Sequence, residues 1–191
     1  MPAALGFSDH SGWAVVAAIE RDGTERFRLL FRRRIETCPP HLPRQAYHAV
    51  AEAGASRSVI AEVAITARDC CSAAIAAALS EFPAIGSAAV AMGRASIPLH
   101  LDRILASHTL LHAAEGELYR DALCEAAAVN GLSVVRFFNK EVRSEAANAL
   151  SRPLAELDGI LASIGQSAGK PWTKDEKDAA AAAIFALATL Q

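Results

Sequence analysis

The chain has no surplus of positive charge, no metal-type cysteine spacing and no apolar run long enough to cross a bilayer. Acidic and basic residues nearly cancel, to a formal net charge of −2. A strongly basic nucleic-acid coat is therefore excluded, and any such contact has to come from a local patch. The cysteines, Cys38, Cys70, Cys71 and Cys124, include no C-x-x-C pair, and neighbours such as Cys70 and Cys71 rarely bridge each other. Free thiols in a reducing compartment are expected. No basic stretch followed by a long apolar run opens the sequence, so no secretory signal is expected. The apolar segment 179–190 is preceded by Lys177 and Asp178 and falls short of the ~20 residues a membrane span needs. A cytoplasmic protein without membrane contact is the expectation.

Signatures of nucleophilic and nucleotide chemistry are missing too. There is no G-x-S-x-G, and adjacent residues such as Ser8-Asp9-His10-Ser11 cannot present a catalytic triad. Gly165-Gln166-Ser167-Ala168-Gly169-Lys170-Pro171 has one residue too few, and a proline where a P-loop places Ser or Thr. Trp13, Trp172, Tyr47 and Tyr119 do not interleave with basic residues, so no stacking platform for single strands is indicated.

What is present is a folded chain of one-domain size, residues 1–191. Hydrophobic residues make up 52% and charged residues 21% of it, which excludes disorder, and the abundance of alanine favours helix over strand. Residues 3–7 read as a short strand and Ser8-Asp9-His10-Ser11-Gly12 as a turn. Residues 13–19 resume as strand, and Arg21-Asp22-Gly23-Thr24 carries a hairpin signal. Beyond it Phe27, Leu29 and Phe31 alternate with Arg26, Arg28, Arg32 and Arg34, Leu30 interrupting the polar side. The period then changes to that of helices. Segments 44–53, 56–82 (capped by Ser56), 98–129 and 141–164 (interrupted at Pro153) are predicted helical, with strands at 87–92 and 132–138. Residues 165–171 read as a loop. Thr173, with Glu176 three residues later, predicts a capping box on a last helix. Three antiparallel strands followed by strand–helix alternation imply an α/β fold with a mixed five-stranded sheet, antiparallel first and parallel later, covered by helices.

That order resembles the RNase H-like fold, and its second half resembles the RuvC-type resolvases. The likeness rests on Ala126-Ala127-Ala128-Val129-Asn130-Gly131-Leu132-Ser133-Val134-Val135, on Arg136-Phe137-Phe138-Asn139-Lys140-Glu141-Val142-Arg143, and on the D-x-x-D-A run Asp175-Glu176-Lys177-Asp178-Ala179. Leu5-Gly6-Phe7-Ser8-Asp9 corresponds to the family's first strand, which usually carries its aspartate two residues after the glycine. Here Ser8 holds that place and Asp9 follows. The resemblance implies a magnesium-dependent nuclease acting on DNA phosphodiesters, with Asp9, Asp175 and Asp178 as catalytic and metal-holding residues, and a homodimer suited to two-fold symmetric junctions. Two ions about 4 Å apart would need several hard carboxylates. The family places a further acid at the end of the fourth strand, where this chain reads Ala89-Val90-Ala91-Met92-Gly93-Arg94 with no carboxylate. The alternative is a catalytically inactive RNase H-like binding or assembly domain. In that case Asp175, Glu176 and Asp178 serve helix-end chemistry and Asp9 an ordinary turn.

Two further groups stand out. Arg26, Arg28, Arg32 and Arg34 would form a local basic patch for DNA, or else a charged guard on a sheet edge. His108, His112 and Glu115 fall on one helical face, a spacing that could hold zinc or iron, but a helix–helix interface or a solvated face is the expected account.

Overall fold

The structure, a computed structural model, describes residues 1–23 and 26–190. Three strands open the chain: β1 (Ala3–His10), β2 (Trp13–Asp22) and β3 (Arg26–Glu36). Helices α1 (Ala46–Glu52) and α2 (Ser58–Glu81) lead to β4 (Ile85–Met92). Then come α3 (Leu101–Leu105), α4 (His108–Val129), β5 (Ser133–Phe138), α5 (Val142–Ala149), α6 (Leu154–Ala168) and α7 (Lys174–Thr189). The strands form one sheet in the order β3-β2-β1-β4-β5. Pairing is antiparallel across β1, β2 and β3 and parallel from β1 to β4 and β4 to β5, as the element order implies.

Each face of the sheet has its own core. On one side Leu5, Phe7, Val16 and Ala18 pack beneath α2 and α4, against Val63, Ile75, Tyr119 and Leu123. On the other, Ala4, Ala17, Ala89 and Ala91 meet α5, α6 and above all α7, whose residues Ala179 to Ala183 have no exposed surface. The alanine run is thus a buried central helix, and among the described residues no helix is long and apolar enough to cross a membrane. Its backbone lies directly on β1. A Cβ at Gly6 would stand 2.0 Å from the Ala179 carbonyl oxygen and 2.3 Å from the Ala183 nitrogen, so only glycine permits the approach. All four cysteines are free.

Several expected boundaries move, for local reasons. The supposed turn at Ser8 is mostly strand: Ser8, Asp9 and His10 pair with Val15, Ala14 and Trp13, leaving Ser11 and Gly12 (φ +87°) to reverse the chain. The second expected hairpin joins β2 to β3, with Thr24 outside the described residues. Helix 98–129 divides at Ser107, whose extended backbone and side chain, accepting from the Leu110 N–H, start α4 afresh at His108. Ser56 sits at the start of α2 as expected, its hydroxyl accepting from the Ser58 N–H at 3.4 Å and pairing with the Ser58 hydroxyl, with Arg57 already helical. Gly165 does not end α6, which continues to Ala168; the glycine leaves room for Trp172, whose Cδ1 would lie 2.3 Å from an added Cβ. The break at Pro153 and the Thr173–Glu176 capping box are found as expected.

The largest correction concerns β3. A bulge falls where Ala18 faces Phe31 but Ile19 faces Leu29, leaving Leu30 unpaired. One extra residue inverts the alternation beyond it. Phe27 and Leu29 pack on the α7 side, whereas Leu30 and Phe31 pack on the α2 side. The predicted arginine stripe is therefore split. Arg28 pairs with Glu20 on one face, while Arg32 reaches the Ala168 and Gly169 carbonyls beside α6 on the other. By the same alternation Arg26 lies with Arg28, and Arg34 with Arg32.

Candidate functional site

The C-terminal ends of the parallel strands and the N-terminus of α7 enclose a pocket of about 180 Å³. This is where open α/β sheets commonly hold ligands. Ser8, Asp9, His10, Asn139, Lys140, Lys174, Asp175 and Asp178 all border it.

Strand alternation decides what each residue of β1 does there. Ser8 and His10 share the face of Gly6 and meet α7. The Ser8 hydroxyl donates to Asp175 Oδ1 at 3.4 Å, and His10 Nε2 lies 3.3 Å from Asp175 Oδ2, an ion pair when the imidazole is protonated. Asp9 follows Phe7 to the α4 side, where its Oδ2 accepts from Arg120 Nε at 2.9 Å. Both side chains are about nine-tenths buried. Asp175 occupies the first turn of α7, whereas Asp178, expected there too, lies in the second turn and forms an ion pair with Lys174 one turn back. Glu176 accepts from the Thr173 backbone and hydroxyl, which completes the cap.

The three aspartates thus border one pocket from different directions. Among the described residues, the one group of three possible metal-ligating side chains whose ligand atoms all lie within 4.8 Å of one another is made of histidines. Beside Ser8 the parallel neighbour is small. Gly6 pairs with Ala89, which brings Ser8 level with Ala91, buried on the same face. None of Ser8, His10 and Ala91 on that face carries a carboxylate, and Asp9 is paired with an arginine. Magnesium needs several hard oxygens turned to one point, and this set does not fit that demand.

A carboxylate does reach the end of β4, but it comes from α4. Glu117 Oε2 accepts from the Gly93 N–H at 3.0 Å and from Arg120, and Oε1 accepts from Arg136 at 2.5 Å. Arg136 also donates to the Ala91 carbonyl and to Asp121. Burial and the nearby Glu117 push the Asp121 carboxyl above its usual range, while Arg136 pulls it back. Asp9, Arg120, Glu117, Arg136 and Asp121 form one ion-pair network of three carboxylates and two guanidinium groups.

Two groups of contacts went unforeseen. Aromatic and basic side chains do meet: Arg34 lies 4.0 Å over the Trp13 ring, which stacks on His10 at 3.9 Å, and Arg32 lies 5.6 Å over Trp172. Sequence distance hides the two arginine pairs, since β2, β3 and the loop before α7 meet only in the fold. The expected His108–His112–Glu115 face also divides. His108 and His112 are exposed, but Glu115 turns inward, accepting from the Tyr47 and His48 N–H groups at 2.6 and 3.2 Å. Burial pushes the Glu115 carboxyl above its ordinary range, opposed by those hydrogen bonds.

No protein-family model and no curated protein matches the chain. Solved structures do. T. thermophilus RuvC in complex with a Holliday junction substrate is 14% identical, with a TM-score of 0.58 over 97% of this chain and 92% of that one. A second structure of Thermus thermophilus RuvC is 15% identical, with a TM-score of 0.56 over 96% and 92%. At this identity the likeness establishes the fold, which is RNase H-like and of the RuvC type.

Proposed function

We propose that this chain is a RuvC-type domain that does not cleave phosphodiesters and serves as a binding or assembly module. One observation carries the reading. The strand residues that meet the α7 acids or border their pocket on that face are Ser8, His10 and Ala91, none of them a carboxylate, while Asp9 is held by Arg120 on the other side. A hydroxyl and a methyl group cannot replace hard anionic ligands to magnesium. Branched DNA is the partner that the RuvC likeness brings forward, and a homodimer would match a junction's two-fold symmetry. Arg32 and Arg34, on the α7 face, would contact phosphates; Arg26 and Arg28 lie across the sheet from them.

The test is to incubate the protein with a four-way DNA junction and magnesium, scoring binding and cleavage together. Binding without cleavage is expected, weakened in an Arg32→Ala/Arg34→Ala variant. A second reading, a magnesium-dependent nuclease using Asp9, Asp175 and Asp178, is favoured by their sharing one pocket. It requires Asp9 to leave Arg120. Metal-dependent cleavage lost in Asp175→Asn would establish that reading and overturn the first.

A further inference from the structure

Away from that pocket, the N-terminus of α4 meets α1 at three imidazoles. His108 and His112 lie one turn apart on α4, with their Nε2 atoms 3.1 Å from each other. His48 on α1 completes the group, its ring centroid 4.7 Å from that of His112 and 5.6 Å from that of His108. One ligand atom from each lies within 4.8 Å of the other two.

The protonation pattern of His48 is set by its neighbours. Its Nδ1 faces Glu115 Oε1 at 3.4 Å, and that same oxygen accepts two backbone N–H groups from the start of α1. A carboxylate accepts only, so the ring proton belongs on Nδ1 and the lone pair on Nε2. Nε2 is buried in a residue only 9% exposed, and it has no hydrogen-bond partner. A buried unpaired acceptor is costly unless something occupies it. His108 repeats the arrangement more loosely, its Nδ1 lying 3.7 Å from Glu52 Oε1 while Nε2 faces His112. A carboxylate behind the ligating imidazole is the usual second layer of a transition-metal site.

We propose that His48, His108 and His112 bind one zinc ion, oriented by Glu115, with the fourth position open to solvent. Nitrogen donors suit a borderline cation such as zinc and not magnesium. Two nitrogens on one tetrahedral zinc stand about 3.3 Å apart, for bonds of about 2.0–2.1 Å. The His108–His112 separation already approaches this. Three protein ligands plus an open position is the pattern of sites that bind a water or substrate rather than of closed structural centres. The ion would tie α1 to α4. Nothing in this inference depends on the acidic pocket.

The test is titration of the full chain with zinc against a chromophoric chelator, and with cobalt followed by its visible absorption. Wild type is expected to bind one equivalent, with the spectrum of four-coordinate cobalt. His108→Ala/His112→Ala, which alters only exposed side chains, is expected to weaken zinc binding by about 100-fold or more while circular dichroism stays unchanged. Glu115→Gln is expected to weaken it about 10- to 100-fold. Asp175→Asn/Asp178→Asn is expected to bind as wild type. Less than stoichiometric zinc in wild type, unchanged affinity in the double histidine variant, or loss of binding in the aspartate variant would each overturn the proposal.

Discussion

Ser8 Oγ hydrogen-bonds to Asp175 Oδ1 across 3.4 Å, joining the C-terminal end of β1 to the first turn of α7. A hydroxyl there satisfies an acid that a second carboxylate would repel, unless a cation lay between them. Ser8→Asp is therefore expected to destabilise the metal-free protein by about 1 kcal/mol. Thermal unfolding in chelator and in magnesium checks this: magnesium should raise the Tm of the variant and leave wild type unmoved. An equal response in both would count against the role given to Ser8.

The Asp9–Arg120 pair should be structural. Removing one partner strands a charge that is about nine-tenths buried, so Arg120→Ala is expected to cost about 3 kcal/mol or more. Denaturant unfolding of Arg120→Ala, Asp9→Asn and their combination gives the coupling energy. A loss under about 1 kcal/mol for Arg120→Ala would place Asp9 among exposed pairs and reopen it as a metal ligand.

Gly6 sets how closely α7 lies on the sheet. Gly6→Ala drives a methyl group into the backbone of Ala179 and Ala183 and should cost about 3 kcal/mol or more. Gly86, whose Cβ would meet nothing within 4 Å, is the control, and Gly86→Ala should change stability little. Similar unfolding midpoints for the two variants would disprove the close approach.

Alkali should weaken the fold through Cys71. Burial, reinforced by Cys70, pushes its thiol up to about 12 from an ordinary value of 9.0. The folded chain keeps the proton that the unfolded chain releases. This contribution is whole below about pH 9 and is lost as pH rises towards 12. Cys71→Ala should show a flatter alkaline decline than wild type. Alkylation of the native protein at pH 8 should leave Cys71 unmodified, and rapid modification there would contradict its burial.

The sheet and its order were legible because period, Gly/Pro punctuation and β-branched runs all act locally. The Thr173–Glu176 cap and the helix-end placement of Asp175 and Asp178 were readable for the same reason. What was hidden depended on register. Leu30 interrupts the alternation visibly, but an apolar interruption does not by itself reveal the bulge that leaves it unpaired and splits the arginines. The face taken by Asp9 depended on β1 continuing to His10, which its polar composition disguised as a turn. Glu117 and His48 reach their partners only through the packing of α4 against β4 and α1, and no motif spacing joins them.

If Asp9, Asp175 and Asp178 do not share a magnesium site, as proposed, none of them should contribute to magnesium binding. Calorimetric titration of magnesium into wild type and Asp175→Asn/Asp178→Asn tests it most directly, since the imidazole cluster has little affinity for so hard an ion. Superimposable heats with no saturable binding are expected in both proteins. A saturable wild-type isotherm that disappears in the variant would contradict the proposal.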